Sequence, residues 1–150
     1  MDTKIRFATK KDIAQIIDLC EAHANYEKST YHREGKAKQL AIDLFSETPK
    51  LYCLVAEYDN QIIAYASYMK QYETWAATEY IYMDCLFVQE SARGLRLGEK
   101  LIDSIKIEGH KLGCVLMQWQ TPSFNTRAMK FYHRIGATSK SKERFFLAIK

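Results

Sequence analysis

The sequence has 150 residues, a net charge of +4, 47% hydrophobic side chains and 27% charged ones. This is enough chain for one domain, residues 1–150, with a real core and an ordinary globular composition. The charge is mild and its signs are interleaved, which suits a small anionic ligand and falls short of a nucleic-acid footprint. No apolar run approaches the ~20 residues of a membrane span, and "MDTKIRFATKKD" lacks the apolar region of a signal peptide. Cys20, Cys53, Cys85 and Cys114 are isolated from one another, each in an apolar segment, and read as buried thiols of a reducing cytoplasm. His23, His32, His110 and His133 are scattered too, so no metal site is expected.

In chain order, "KIRFA" predicts a short opening strand. Thr9 and Asp12 resemble a capping box, with Asp in place of Glu. Ile13, Ile16, Ile17 and Cys20 follow at helical spacing. Ala37, Leu40, Ala41 and Leu44 predict a second helix that ends before Pro49. The polar connection between the helices, "ANYEKSTYHREG", is long enough to serve function. "LYCLVAEY" and "QIIAYASYMK" predict two strands joined at Asp59–Asn60, and "EYIYMDCLFV" a third. After a glycine-containing loop, Leu97, Leu101, Ile102 and Ile105 mark a helix face closed by Gly113. "CVLMQWQ" predicts a buried strand, "NTRAMKFYHRIG" a short helix and "RFFLAI" a final strand. A strand, two helices, a three-strand meander, then helix, strand, helix and strand make a mixed α/β fold, not an alternating doubly wound one.

The loop "ESARGLRLGEKL" feeds directly into a helix. Unpaired N–H groups at a helix start favour anions, and Gly94 and Gly98 let a ligand approach the backbone while Arg93 and Arg96 add charge. On its own the loop reads equally as a phosphate site or as a tight turn. No Gly-Lys-Ser/Thr follows, which disfavours a nucleoside-triphosphate loop, and the preceding meander disfavours a dinucleotide fold. Asp84 sits in an apolar strand, in phase with Tyr80, Tyr82, Leu86 and Val88, and a charge there is costly without a partner. Downstream, Asn125 and Tyr132 are seven residues apart, two turns along one helix face.

Together, the strand, the Arg-rich glycine loop, the helix, the next strand and Asn…Phe-Tyr…Gly-Ala resemble the GNAT superfamily of N-acetyltransferases. "NYE", "YCLVAE", "YETW", "YMDCLFV" and "RGLRLG" are most similar to the spermidine/spermine (diamine) members. The resemblance covers nearly the whole chain and implies a central, mostly antiparallel twisted sheet flanked by helices, with acetyl-CoA as cofactor. It implies that Arg93, Gly94, Leu95, Arg96, Leu97, Gly98 and Glu99 cradle the pyrophosphate. Backbone groups of Leu86, Phe87 and Val88 would bind pantetheine and polarise the thioester, and Asn125 would hold the cofactor arm. The family loop commonly has glycine where this chain has Arg96, whose side chain would either crowd the phosphates or bind them.

The resemblance further implies direct acetyl transfer to a primary amine, with Asp84 as base, where the relatives have Glu, and Tyr132 as general acid. Tyr26, Glu27, Glu73, Trp75 and Asp84 would receive a small cationic amine: a diamine, a polyamine or a lysine-like compound. Other acceptors (an aminoglycoside, an amino acid or a protein N-terminus) and an acyl-CoA-binding domain without turnover are the alternatives. The family also implies a homodimer that uses the C-terminal strand.

Overall fold

A computed structural model describes residues 2–150, which cluster into two compact units, 2–120 and 121–150. The first unit holds a five-stranded sheet in the order β1 (Lys4–Phe7), β2 (Tyr52–Tyr58), β3 (Gln61–Glu73), β4 (Thr78–Val88) and β5 (Met117–Gln118). The first four strands run antiparallel and β5 joins β4 in parallel, the mostly antiparallel sheet expected. Helices α1 (Ile13–Tyr26) and α2 (Lys36–Phe45) pack together, with α1 on β3, and α3 (Leu97–Lys111) packs on β1 to β4. Among the described residues no helix is long and apolar enough to cross a membrane.

The apolar spacing builds these layers. Ile13, Ile16, Ile17 and Leu19 of α1 are buried with Cys53, Val55, Tyr65 and Phe87 of the sheet. Leu97, Leu101, Ile102 and Ile105 are buried along α3. Toward the end of α3, a methyl group on Gly109 would stand 2.8 Å from Ile81 Cγ1, so helix and strand approach more closely than any side chain at 109 allows. The capping box also forms: the Thr9 N–H donates to Asp12 Oδ2 at 2.7 Å. Asp59 and Asn60 take φ of 50° and 61°, the left-handed pair that matches strand twist in a two-residue hairpin.

The structure differs from the sequence reading at five places. Helix α1 runs on to Tyr26, so Ala24, Asn25 and Tyr26 belong to its last turn and not to the connection. Cys53 and Cys114 are buried, but Cys20 and Cys85 only partly so; all four thiols are free. The strand expected over 114–120 shrinks to Met117 and Gln118, which pair with Ile81 and Tyr82, while Val115 and Leu116 are exposed. "RFFLAI" is not a strand: among the described residues no ladder partner reaches it, and Phe145 and Leu147 expose 90% and 94% of their surface.

The fifth difference concerns Asp84. On β3 the adjacent residues Ser67 and Tyr68 face Cys85 and Met83, so Asp84 is the extra residue of a β-bulge. Cross-strand partners share a face, so the bulge reverses the alternation along β4. Tyr80 and Tyr82 therefore lie on one face of the sheet, and Leu86 and Val88 on the other. Asp84 is exposed, and no burial cost arises for its charge.

The second unit contains α4 (Thr126–Arg134), which Gly136 follows with φ of 99°. Asn125 caps α4, its side chain accepting the Ala128 N–H at 3.3 Å and donating to Thr121 Oγ1 at 3.3 Å. Asn125 thus stands just before the helix that carries Tyr132.

Candidate active site

The end of β4 and the start of α3 have the features of an anion site. β5 leaves β4 after Tyr82, so among the described residues the outer edge of Met83–Val88 has no strand partner. That edge runs into Gly94, at φ 84° with nothing within 4 Å of where a Cβ would lie, and Arg96, at φ 62°. Helix α3 then begins without a side-chain cap, so the N–H groups of its 15-residue dipole face outward. Leu97 adds only backbone here, because its side chain is in the core. Gly98 and Glu99 complete the first turn. These residues fit a pyrophosphate: unsatisfied donors, open space and cationic flanks, with no competing carboxylate on Arg93 among the described residues.

Each arginine of this loop has a definite place. Arg93 donates Nε–H to the Val88 carbonyl at 3.1 Å and stacks over the Tyr26 ring, 4.7 Å from its centroid, and the Phe87 ring, 5.7 Å away. Arg96 pairs with Glu99 at 3.0 Å, one turn into its own helix. Its left-handed backbone explains why glycine suits this position, and a side chain there is strained.

The last turn of α1 and its C-cap present His23, Tyr26 and Glu27 on one side. His23 Nδ1 meets Tyr65 Oη at 2.9 Å and its Nε2 meets Glu27 Oε2 at 2.8 Å. The His23 ring lies flat on Phe87, with centroids 5.1 Å apart and planes 19° from parallel. The Tyr65 hydroxyl also contacts the Cys20 and Cys85 thiols, and burial raises the Tyr65 phenol well above its usual range. Burial likewise pushes the Cys85 thiol up to about 12, and Cys85 Sγ reaches Asp84 Oδ2 at 3.7 Å. A polar chain therefore runs from Glu27 through His23 and Tyr65 to the Asp84 bulge, and these thiols are poor nucleophiles.

The structure brings some of the expected residues together. Asp84, Leu86, Phe87, Val88, the 93–99 loop, Tyr26 and Glu27 cluster around the end of β4. Glu73 and Trp75 are elsewhere, at the tip of the β3–β4 ribbon, where Glu73 pairs with Thr78 and Trp75 is 96% exposed. Six residues of β4, about 20 Å of extended strand, separate that tip from Asp84. In the second unit, the Tyr132 ring packs against Phe131 with centroids 5.2 Å apart. His23 and Tyr65 escaped the sequence reading. The four-residue spacing of His23 and Glu27 was visible, but nothing in sequence placed a sheet tyrosine beneath them.

The chain belongs to the acetyltransferase (GNAT) family, whose sequence profile matches residues 15–137. It is accordingly an acetyltransferase that takes its acetyl group from acetyl-CoA. It is 30% identical over 141 residues to the thialysine N-epsilon-acetyltransferase of Bos taurus, covering 89% of this chain and 82% of that protein. It is 25% identical over 147 residues to the spermidine/spermine N(1)-acetyltransferase-like protein 1 of Homo sapiens, covering 93% of this chain and 21% of that one. Among solved structures, the aminoglycoside N-acetyltransferase AAC(6')-Iy in complex with CoA shares the fold. The TM-score is 0.78 at 17% identity, over 98% of this chain and 95% of that one.

Proposed function

We propose that the chain moves an acetyl group from acetyl-CoA to a small cationic primary amine by direct attack, its two units working as one catalytic domain. The observation that carries this reading is the edge of β4 without a strand partner among the described residues, which runs into an uncapped helix start and has an exposed carboxylate at the bulge near its beginning. Acetyl-CoA, when bound, supplies a thioester whose carbonyl carbon accepts the amine.

The work of the chain follows from the needs of that reaction. A lysine-type amine, with a pKa of ~10.4, arrives protonated at neutral pH. Asp84 attracts it and takes its proton, directly or through water, which suits an exposed carboxylate shorter than the Glu of the diamine enzymes. Backbone groups of Leu86, Phe87 and Val88 hold the pantetheine arm and polarise the carbonyl oxygen. The N–H groups of residues 93–99 and the Arg93 guanidinium hold the pyrophosphate, Asn125 steadies the cofactor arm, and Tyr132 donates a proton to the departing thiolate. Glu27 keeps Oε1 for a cationic acceptor while His23 holds Oε2. Glu73 and Trp75, at the ribbon tip, suit the distal ammonium of a long polyamine better than the reacting amine.

The thialysine and spermidine/spermine relatives support a cationic aliphatic acceptor. We read the protein as cytoplasmic and homodimeric; the exposed apolar side chains Phe145, Phe146, Leu147 and Ile149 support a partner copy that covers them. A panel of diamines, polyamines, lysine analogues, aminoglycosides and amino acids, assayed with acetyl-CoA by thiol release, tests the proposal. The expected result is the highest kcat/KM with a cationic aliphatic amine. A higher value with an aminoglycoside or a neutral amine would replace the acceptor. Thermal stabilisation by CoA with no thiol release from any amine would reduce the chain to a binding domain.

A further inference from the structure

We propose that Tyr26 is a positioning residue for Arg93: it holds the guanidinium ready for the cofactor diphosphate, rather than contacting the amine acceptor. The inference rests on the reading of the 93–99 loop as the diphosphate site. Tyr26 ends α1, and its ring lies under the Arg93 guanidinium at 4.7 Å. Phe87, on β4, lies 6.3 Å from Tyr26 and forms the rest of the aromatic floor, 5.7 Å from the same guanidinium. His23 packs flat against Phe87, so the last turn of α1 grips the end of β4 with two aromatic rings. The Nε–H of Arg93 is spent on the Val88 carbonyl at 3.1 Å.

These contacts fix the plane of the guanidinium and its Nε edge without neutralising it. The rings and the carbonyl carry no formal charge, and Arg93 has no carboxylate within ion-pair distance among the described residues. Its terminal NH2 groups therefore keep their charge and hydrogen-bonding capacity for an anion, in the bidentate geometry that suits phosphate oxygens. An arginine ordered beforehand loses less conformational freedom on binding than one recruited from solvent, so the ring contributes to affinity without touching the ligand. A direct acceptor contact would instead act on the KM of the amine.

The test compares Tyr26→Leu, Tyr26→Phe, Arg93→Met and the Tyr26→Leu/Arg93→Met double variant. CoA affinity is read by titration calorimetry and amine KM by steady-state kinetics. The ligand-free protein adds a second readout: exchange protection of the Arg93 Nε–H by nitrogen-edited NMR. Tyr26 is 40% exposed, so leucine in its place leaves the core intact. Tyr26→Leu is expected to weaken CoA by about five-fold and Tyr26→Phe, which keeps the ring, by less than about two-fold. Tyr26→Leu should also expose the Arg93 Nε–H to exchange, leave the amine KM unchanged and add nothing in the Arg93→Met background. The inference is overturned if Arg93→Met weakens CoA while Tyr26→Leu does not, or if Tyr26→Leu acts on the amine KM alone. No loss of CoA affinity in Arg93→Met would instead refute the loop as the diphosphate site, and this inference with it.

Discussion

Arg6 donates to Asp12 at 2.7 and 3.0 Å, to Glu57 at 2.6 and 2.8 Å and to the Phe7 carbonyl at 3.0 Å. Arg93, in the same unit, donates to a neutral carbonyl and rests on neutral rings. The first guanidinium is neutralised by two carboxylates and ties β1, β2 and the start of α1 together. The second stays cationic at the end of the sheet where β4 loses its partner. Partner chemistry, more than exposure, separates an arginine that holds the fold from one that awaits an anion.

The largest expected effect breaks the first cluster. Asp12→Asn replaces one carboxylate partner of Arg6 at a residue that is 4% exposed, and should cost about 2–3 kcal/mol of stability at neutral pH, read by urea unfolding, with CoA affinity unchanged. The pH profile sharpens the point. Hydrogen bonds from Arg6 hold the Asp12 carboxyl below its usual range; burial works against them and the Thr9 N–H with them. The folded protein therefore binds this proton less readily than the unfolded chain. The stabilisation is complete above the ordinary carboxylate range, near ~3.9, and is lost as pH falls through the lowered folded value. Wild type and Asp12→Asn should converge in stability only in that acid range; a gap that persists there would mean the carboxylate charge is not what holds Arg6.

The next effect moves to the reacting end. Tyr132→Phe should lower turnover by about ten-fold or more, near 1.4 kcal/mol, while CoA affinity holds, since a proton donor acts on the transition state and not on the diphosphate. Near-normal turnover would remove Tyr132 from the reaction. The smallest effect concerns the loop arginine that does pair with a carboxylate. Arg96→Gly relieves a left-handed backbone and forfeits only an exposed contact to Glu99. It should raise stability by about 0.5–1 kcal/mol, or the melting temperature by about 2 °C. A loss of CoA affinity in the same variant would make Arg96 a phosphate ligand like Arg93.

Much of this molecule was legible in the order of its residues. The apolar positions of α1, α2 and α3, the Thr9–Asp12 box and the Asp59–Asn60 turn are local codes, and each formed as read. The residues that carried the family resemblance, from "NYE" to "RGLRLG", led to the acetyltransferase family by the same local reading. The bulge at Asp84 was not legible, because an extra residue in a strand exists only relative to the strand beside it. The shortness of β5 and the uncovered "RFFLAI" escaped for a related reason: an apolar run states that a segment would pair or bury, not whether a partner reaches it.

Sequence by itself therefore determined the helices, the first four strands, the chemistry available at the end of β4 and the family of the chain, because periodicity, caps and motifs act over a few residues. Tertiary structure alone decided which side chains meet. It put Tyr26 under Arg93, His23 between Glu27 and Tyr65, and Glu73 and Trp75 far along the ribbon from Asp84. Those outcomes follow from cross-strand register and helix packing, in which residues distant in the chain compete for the same contacts, and no single segment encodes the result.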